Sequence, residues 1–136
     1  MFEKVKHITL SGKEYPYKCD LVVLEKIQEE YSDIGDFENK ISGFTPSRNE
    51  DGTIERNEEG FMLGTYGIPD LKVACKALCW MIQEGLEIEA EEKKEPVPSI
   101  SEKEIIRAVD FSPYDLGKIL QKEFSRCFAR KNDQTT

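Results

Sequence analysis

Hydrophobic and polar residues alternate at the start of the chain in the manner of two β-strands. Residues 4–10 form two alternating sets, and residues 14–19 alternate again after a short turn. The turn contains Gly12, and glycine reaches positive φ without steric cost. The alternation therefore predicts a β-hairpin over about residues 4–19.

The pattern then changes to the three-and-four spacing of apolar residues that is typical of amphipathic helices. Polar residues that can cap a helix precede most of these runs. The expected N-terminal caps are Asp20, Asp36, Ser101 and Ser112. The predicted helices cover about residues 20–32, 36–42, 69–84, 101–109 and 112–130.

Glycine and proline mark the expected ends of these elements. Gly43 is expected to end the second helix and Gly85 the third, because glycine suits the left-handed position after a helix. A brief strand is then expected at residues 86–89, followed by a solvated connector at residues 91–98. The pattern indicates no internal repeat.

Residues 44–67 are the least regular part of the chain. Asp51-Gly52 is a strong turn dipeptide, and several further glycines disfavour a helix. This segment is predicted to be either an exposed hairpin or a mobile loop. The whole pattern predicts one α+β domain over residues 1–136, in which the N-terminal hairpin packs on four to five helices and the central loop is mobile.

Composition restricts the class of partner. The 136 residues include 27 acidic and 19 basic side chains, for a net charge of −8. Binding to nucleic acid needs a basic surface, so nucleic acid is not the expected main partner. No apolar run has membrane-spanning length. The start of the chain passes directly into a strand pattern without a signal peptide, so we expect a cytosolic protein with reduced cysteines.

Candidate catalytic and metal-binding residues are few. His7 is the single histidine, and no base partner or set of metal ligands lies near it in the sequence. Cys75 and Cys79 share one helix face, but they lie within an apolar stripe, which favours core packing. The acidic run at residues 87–95 lacks the rhythm of a calcium loop. We therefore predict no enzyme activity, no cofactor and no metal site, and a protein that works by binding.

The last helix carries a basic edge that could contact a partner. Between residues 118 and 131 there are five basic residues and one acidic residue, Glu123. Positive charge near a helix C-terminus is also favoured by the helix dipole, so part of this pattern is structural. The basic residues are Lys118, Lys122, Arg126, Arg130 and Lys131, of which Lys122, Arg126 and Arg130 are the predicted contacts.

Aromatic and apolar residues supply the other candidates for partner binding. Phe61, Met62 and Tyr66 lie among glycines and either anchor the loop on the core or dock onto a partner. Phe124 and Phe128 continue the apolar stripe of the last helix and are expected in the core.

Three early segments have a familiar order. They are ITLSGKEYPY at residues 8–17, LVVLEKIQEEY at residues 21–31 and DFENKISG at residues 36–43, and later stretches at residues 81–88 and 124–128 fit with them. In these segments the chain resembles tail assembly chaperones of long-tailed bacteriophages and prophages of Gram-positive bacteria.

The resemblance implies a non-enzymatic protein of the host bacterial cytoplasm that is absent from the mature virion. Its implied partners are the tape-measure protein, which it coats, and the tail tube protein, which it helps to recruit; it could also form a homo-oligomer. Two alternatives stay open: a structural virion component, such as a head–tail joining or minor tail protein, and a small regulatory protein of a prophage.

Overall fold

The structure is a computed structural model that describes residues 5–128. Within them the fold is α+β, as predicted, with an N-terminal hairpin and five helices. The strands are β1 Lys6–Leu10, β2 Lys13–Tyr17, β3 Phe44–Pro46 and β4 Gly64–Tyr66. The helices are α1 Leu21–Tyr31, α2 Ile34–Ser42, α3 Leu71–Lys93, α4 Glu102–Ala108 and α5 Pro113–Cys127.

The hairpin of β1 and β2 packs against the middle of α3. The strands pair antiparallel, with Ile8 opposite Tyr15, and both side chains are buried. Gly85 permits the contact, since a Cβ atom there would lie 2.6 Å from the carbonyl carbon of Pro16. The missing side chain at Gly85 is therefore what lets the backbone of β2 approach this helix.

The predicted end of the third helix at residue 84 is wrong. α3 continues through Gly85 to Lys93, so the strand expected at residues 86–89 is helical, and so are residues 91–93 of the connector expected at residues 91–98. The residue after the helix, Lys94, caps its C-terminus in the left-handed conformation. Packing against the hairpin outweighs the weak helix preference of glycine, which costs about 1 kcal/mol relative to alanine.

The other predicted helices are confirmed, with one shifted start. α2 begins after Asp33, whose carboxylate accepts a hydrogen bond from the Gly35 amide at 2.9 Å, and not at Asp36. Asp20, Ser101 and Ser112 cap the helices that follow them, as expected. The predicted end of the last helix at residue 130 lies outside the described residues.

An aromatic chain crosses the core and joins three helices. The rings of Tyr31 and Phe37 lie 5.4 Å apart between centroids, and Phe37 lies 5.4 Å from Phe124. Phe124 is buried, as predicted. Phe128 contacts Phe124 edge-on at 5.1 Å, but 53% of Phe128 is exposed, so the prediction of a core position is wrong for this residue.

Residues 44–67 form a paired structure, so the exposed-hairpin alternative is closer to the structure than the mobile loop. β3 and β4 pair antiparallel. Beyond them, the backbones of Ser47, Glu55 and Leu63 form a closed ring of three hydrogen bonds, from Ser47 to Leu63, from Leu63 to Glu55 and from Glu55 to Ser47 (2.8–2.9 Å). Two short hairpins leave this ring, at residues 48–54 and 56–62.

The two hairpins are a tandem repeat, which corrects the expectation of no internal repeat. Unit 1, residues 48–55, reads RNEDGTIE, and unit 2, residues 56–63, reads RNEEGFML. The arginine that opens each unit donates to a glycine carbonyl, Arg48 to Gly52 at 2.9 Å and Arg56 to Gly60 at 3.0 Å. Each unit also makes an isolated antiparallel bridge at equivalent positions, so the same eight-residue pattern builds the same hairpin twice.

Candidate functional site

A groove of about 630 Å³ lies between unit 2, the β3–β4 pair, the segment that precedes α3, and the facing sides of α2 and α5. Its volume is within the range of about 300–1,000 Å³ that is common for binding clefts. Its lining is rich in aromatic side chains. The lining residues are Glu38, Asn39, Ser42, Phe44, Phe61, Met62, Tyr66, Gly67, Pro69, Tyr114, Gly117, Lys118 and Gln121.

The structure brings the three predicted aromatic and apolar contact residues together on this groove. Phe61 is 65% exposed and Tyr66 is 77% exposed, so neither is anchored in the core. Met62 lies beside them and is also exposed. The ring of Tyr66 packs on that of Phe44 across the β3–β4 pair, with centroids 5.1 Å apart. Two further groove residues, Phe44 and Tyr114, were not singled out from the sequence.

Gly117 lies at the base of the groove, where α5 approaches α2 and Pro69. A Cβ atom at this position would lie 2.7 Å from the Ile41 carbonyl oxygen and 2.7 Å from Cγ of Pro69. A larger residue would therefore push α5 away from α2.

Polar groups lie on the α5 side of the groove. The Gln121 amide nitrogen donates to the Glu38 carboxylate at 2.7 Å and to the Ser125 hydroxyl at 3.2 Å. Lys118, one turn earlier, is exposed and also lines the groove. This side of the groove therefore offers a positive charge next to aromatic surface.

The predicted basic edge of α5 divides into two parts. Lys122 is exposed, like Lys118. Arg126 instead donates to both carboxylate oxygens of Glu123, at 3.0 and 2.8 Å, and to the Cys19 carbonyl at 2.6 Å. Arg130 lies outside the described residues. Substituting Arg126 would disturb the fold, so Lys118 and Lys122 are the residues by which a basic contact can be tested.

Glu123 is the buried centre of a cluster that we call the hub: Glu123, Arg126, Lys6 and Cys19. Its side chain is 1% exposed. Its carboxylate accepts a hydrogen bond from the Cys19 amide at 2.8 Å and forms a salt bridge with Nζ of Lys6 at 3.2 Å. Burial raises the pKa of this carboxyl, but hydrogen bonds from Arg126, Cys19 and Lys6 outweigh burial, and its net pKa is lowered. The hub ties α5 to β1 and to the β2–α1 junction.

The remaining candidates for chemistry do not converge. His7 Nε2 lies 2.7 Å from a carboxylate oxygen of Glu89 on α3. Burial raises the pKa of the Cys79 thiol to about 12 and also raises that of Cys75, which disfavours the thiolate at both positions. Among residues 5–128, no group of three histidine, cysteine or acidic side chains is arranged to hold a metal ion.

Comparison with known proteins gives no relative: no protein-family model matches the chain, and neither a curated protein nor a solved structure matches it significantly. Among the described helices, none combines the length and apolar character needed to span a bilayer.

Sequence reasoning missed the tandem repeat, whose second unit contributes Phe61 and Met62 to the groove. The signal was present, since arginine, asparagine, glutamate and glycine recur at an interval of eight residues. Asp51-Gly52 is a strong turn signal for the first hairpin, whereas unit 2 has Glu59-Gly60 at the equivalent position. A search for short repeats, and not only for repeats of whole structural units, would have found it.

Proposed function

We propose that this protein is a tail assembly chaperone of a bacteriophage or prophage, and that it binds the tape-measure protein transiently through the groove. In this proposal it acts in the host cytoplasm, helps to recruit tail tube subunits and is absent from the finished virion. The resemblance of the hairpin, α1 and α2 sequences supplies the class. The exposed aromatic groove is the single observation that carries the binding role.

The exposure of the groove residues supports a binding role. Exposed aromatic side chains lower the solubility of a protein, and these side chains contribute little to the buried core. Phe61, Tyr66 and Tyr114 are each more than half exposed, and they line one groove. Contiguous apolar surface on a soluble protein commonly marks an interaction site. A client that covers this surface would gain hydrophobic free energy of about 25 cal/mol for each Å² removed from water.

The net charge of −8 is compatible with this role. Like-charge repulsion between chains reduces self-association while an apolar surface is open. The tape-measure protein is a long client, and many chaperone copies along it would bind in parallel. The apparent affinity of such an array can exceed that of a single domain without any further contact.

Co-expression with the tape-measure protein of the same genetic element tests the proposal. We expect the wild-type chain to keep the tape-measure protein soluble and to co-purify with it. The double substitution Phe61→Thr and Tyr66→Ser should reduce co-purification about tenfold, because aromatic anchors carry much of the binding energy at interfaces.

Leu21→Ser is the matched control, since Leu21 is 76% exposed and is not among the groove residues. It should leave co-purification unchanged. Equal co-purification by the groove variant and the control would refute the groove as the client site. Detection of the chain by mass spectrometry in purified virions, in amounts comparable to a tail protein, would refute the chaperone role itself.

A further inference from the structure

Cys19, at the β2–α1 junction, is held against the last turns of α5 by hydrogen bonds to its backbone. Its amide donates to Glu123 at 2.8 Å, and its carbonyl accepts from Arg126 at 2.6 Å. The same carbonyl also accepts from the Cys127 thiol at 3.0 Å. The position of Cys19 relative to Cys127 is therefore fixed by two bonds that involve neither sulfur atom.

The thiols of Cys19 and Cys127 are themselves in contact. Both cysteines are free, and their side chains form a hydrogen bond with each other. Cys19 is fully buried, whereas Cys127 is half-buried. One thiol of the pair can therefore meet a small reagent from solvent, while the other is already placed against it.

The other two cysteines form a second pair that is less suited to a covalent bond. Cys75 and Cys79 lie four residues apart on α3, and such positions on a helix hold their Cβ atoms about 5–6 Å apart. A disulfide needs Cβ atoms about 3.5–4.5 Å apart, so a bond here would require α3 to unwind in the core. Cys19 and Cys127 are 108 residues apart on different elements, and no helix geometry separates their Cβ atoms.

We propose that Cys19 and Cys127 are a redox modification site, at which a small disulfide such as glutathione disulfide oxidises the two thiols to an intramolecular disulfide. Cys127, as the thiolate, attacks one sulfur of the reagent, breaks its S–S bond and releases one glutathione thiolate. Cys19 then loses its proton to water, and its sulfur attacks Sγ of Cys127 and expels the second glutathione. The two protein thiols lose two electrons, and the reagent is reduced to two thiols.

Burial and charge give the order of these two attacks. Burial raises the pKa of both thiols, but at Cys127 the hydrogen bond from Cys19 and the positive charge of Arg126 partly oppose this effect. Cys127 is also the more accessible of the two, so it reacts first. Only the thiolate attacks, so the rate should be low at neutral pH and should rise by about tenfold for each pH unit between pH 7 and pH 9.

Peptide mapping of the folded wild-type chain tests the proposal. The protein is incubated with glutathione disulfide at pH 8, remaining thiols are alkylated, and the chain is digested with trypsin without reductant. Mass spectrometry should find CDLVVLEK, residues 19–26, linked to CFAR, residues 127–130. A bond between the two cysteines of α3 would instead link residues 73–76 to residues 77–93. In concentrated urea this second link should dominate, because an unfolded chain closes a short loop more readily than a long one.

Two variants separate the site from the other thiols. Cys127→Ser should abolish the link, whereas Cys75→Ala, the matched control, should keep the wild-type yield. The oxidised wild type should unfold at a urea concentration about 1 M or more above that of the reduced protein, because a cross-link over 108 residues restricts the unfolded chain. Cys127→Ser should show no such shift on treatment with glutathione disulfide.

Three results would overturn the proposal. One is the absence of the predicted link in the folded wild type, or a dominant bond within α3. Another is arrest at a mixed disulfide of glutathione on Cys127, since Cys19 would then not reach it. The third is a linked protein that unfolds at a lower urea concentration than the reduced one, which would show that the bond forms only after the hub opens. The wild-type map decides the question even if Cys127→Ser does not fold, and none of these results depends on the proposed function.

Discussion

The hub and the groove use similar residues in opposite ways. In the hub, Glu123 and Arg126 form hydrogen bonds to each other and to the Cys19 backbone, and the Glu123 side chain is almost fully buried. In the groove, Phe61 and Tyr66 expose most of their surface. Aromatic side chains are exposed in the groove and a carboxylate is buried in the hub, so residue type alone does not show which residues stabilise the fold and which are available to a partner. The hub fixes α5, and the groove uses the α5 surface that this leaves free.

The largest effect should come from breaking the hub. Arg126→Met leaves the buried Glu123 carboxylate without its main partner, and such a change costs about 3–5 kcal/mol of unfolding free energy. Urea denaturation followed by circular dichroism measures it. Lys122→Met, one turn earlier on the exposed side, is the control and should change stability by less than about 0.5 kcal/mol.

Restoring neutrality should recover part of this loss. Adding Glu123→Gln to Arg126→Met removes the buried charge, so the double variant should be more stable than Arg126→Met alone. If Arg126→Met unfolds at the same urea concentration as the wild type, the hub does not stabilise the fold and the contrast with the groove fails.

A smaller effect should come from filling the base of the groove. Gly117→Val would place side-chain atoms against the Ile41 carbonyl and the Pro69 ring, and overpacking of this kind costs about 1–3 kcal/mol. Thermal unfolding measures this loss. Gly52→Ala is not a suitable control, because Gly52 has a positive φ of 88° and its substitution adds backbone strain. Gly67→Ala is better, since a Cβ atom there meets no other atom within 4 Å.

The sequence predicted the elements better than the surfaces that they form. Helix and strand positions follow from local periodicity and caps, and Asp20, Ser101 and Ser112 act as expected because a cap depends on only a few neighbouring residues. Phe61, Met62 and Tyr66 were identified as contact candidates from their glycine-rich setting, and they lie on one groove. Whether they bind a partner stays a prediction.

The features that the sequence did not predict depend on contacts distant in the chain. Gly85 resembles a helix end until the β2 backbone is known to pack against it. Arg126 resembles a surface charge until its bond to the Cys19 carbonyl, 107 residues away, is seen. Neither contact leaves a local signal, since both partners are ordinary residues of other elements.

The pH dependence of stability should separate two carboxyls that each interact with a residue of the β2–α1 junction, Glu84 with Asp20 and Glu123 with Cys19. Burial, together with a hydrogen bond and like charge from Asp20, raises the pKa of Glu84 to about 8 from its ordinary value of 4.5. The folded state therefore binds more protons than the unfolded state between these values, and this contribution to stability falls as the pH rises from about 4.5 to about 8. Glu123 has a lowered pKa, so its contribution is present above about 4.5 and is lost as the pH falls.

Glu84→Gln should remove the first of these dependences. At pH 9 the variant should be more stable than the wild type by at most about 1 kcal/mol, because solvent screens a carboxyl that is only partly buried. At pH 4 the two proteins should unfold at the same urea concentration. A wild-type advantage at pH 9 would show that the Glu84 carboxylate is stabilised by its surroundings and not opposed by them.

The smallest effect should be the loss of stability on removing the groove aromatics. Phe61→Thr with Tyr66→Ser deletes two rings, yet both are mostly exposed, and exposed substitutions usually change stability by less than about 0.5 kcal/mol. Urea denaturation should therefore give nearly the wild-type midpoint, while Arg126→Met under the same conditions should not. A loss of several kcal/mol of unfolding free energy in the groove variant would mean that these rings pack the repeat against the helices. The groove would then be an internal contact that stabilises the fold and not a surface available to a partner.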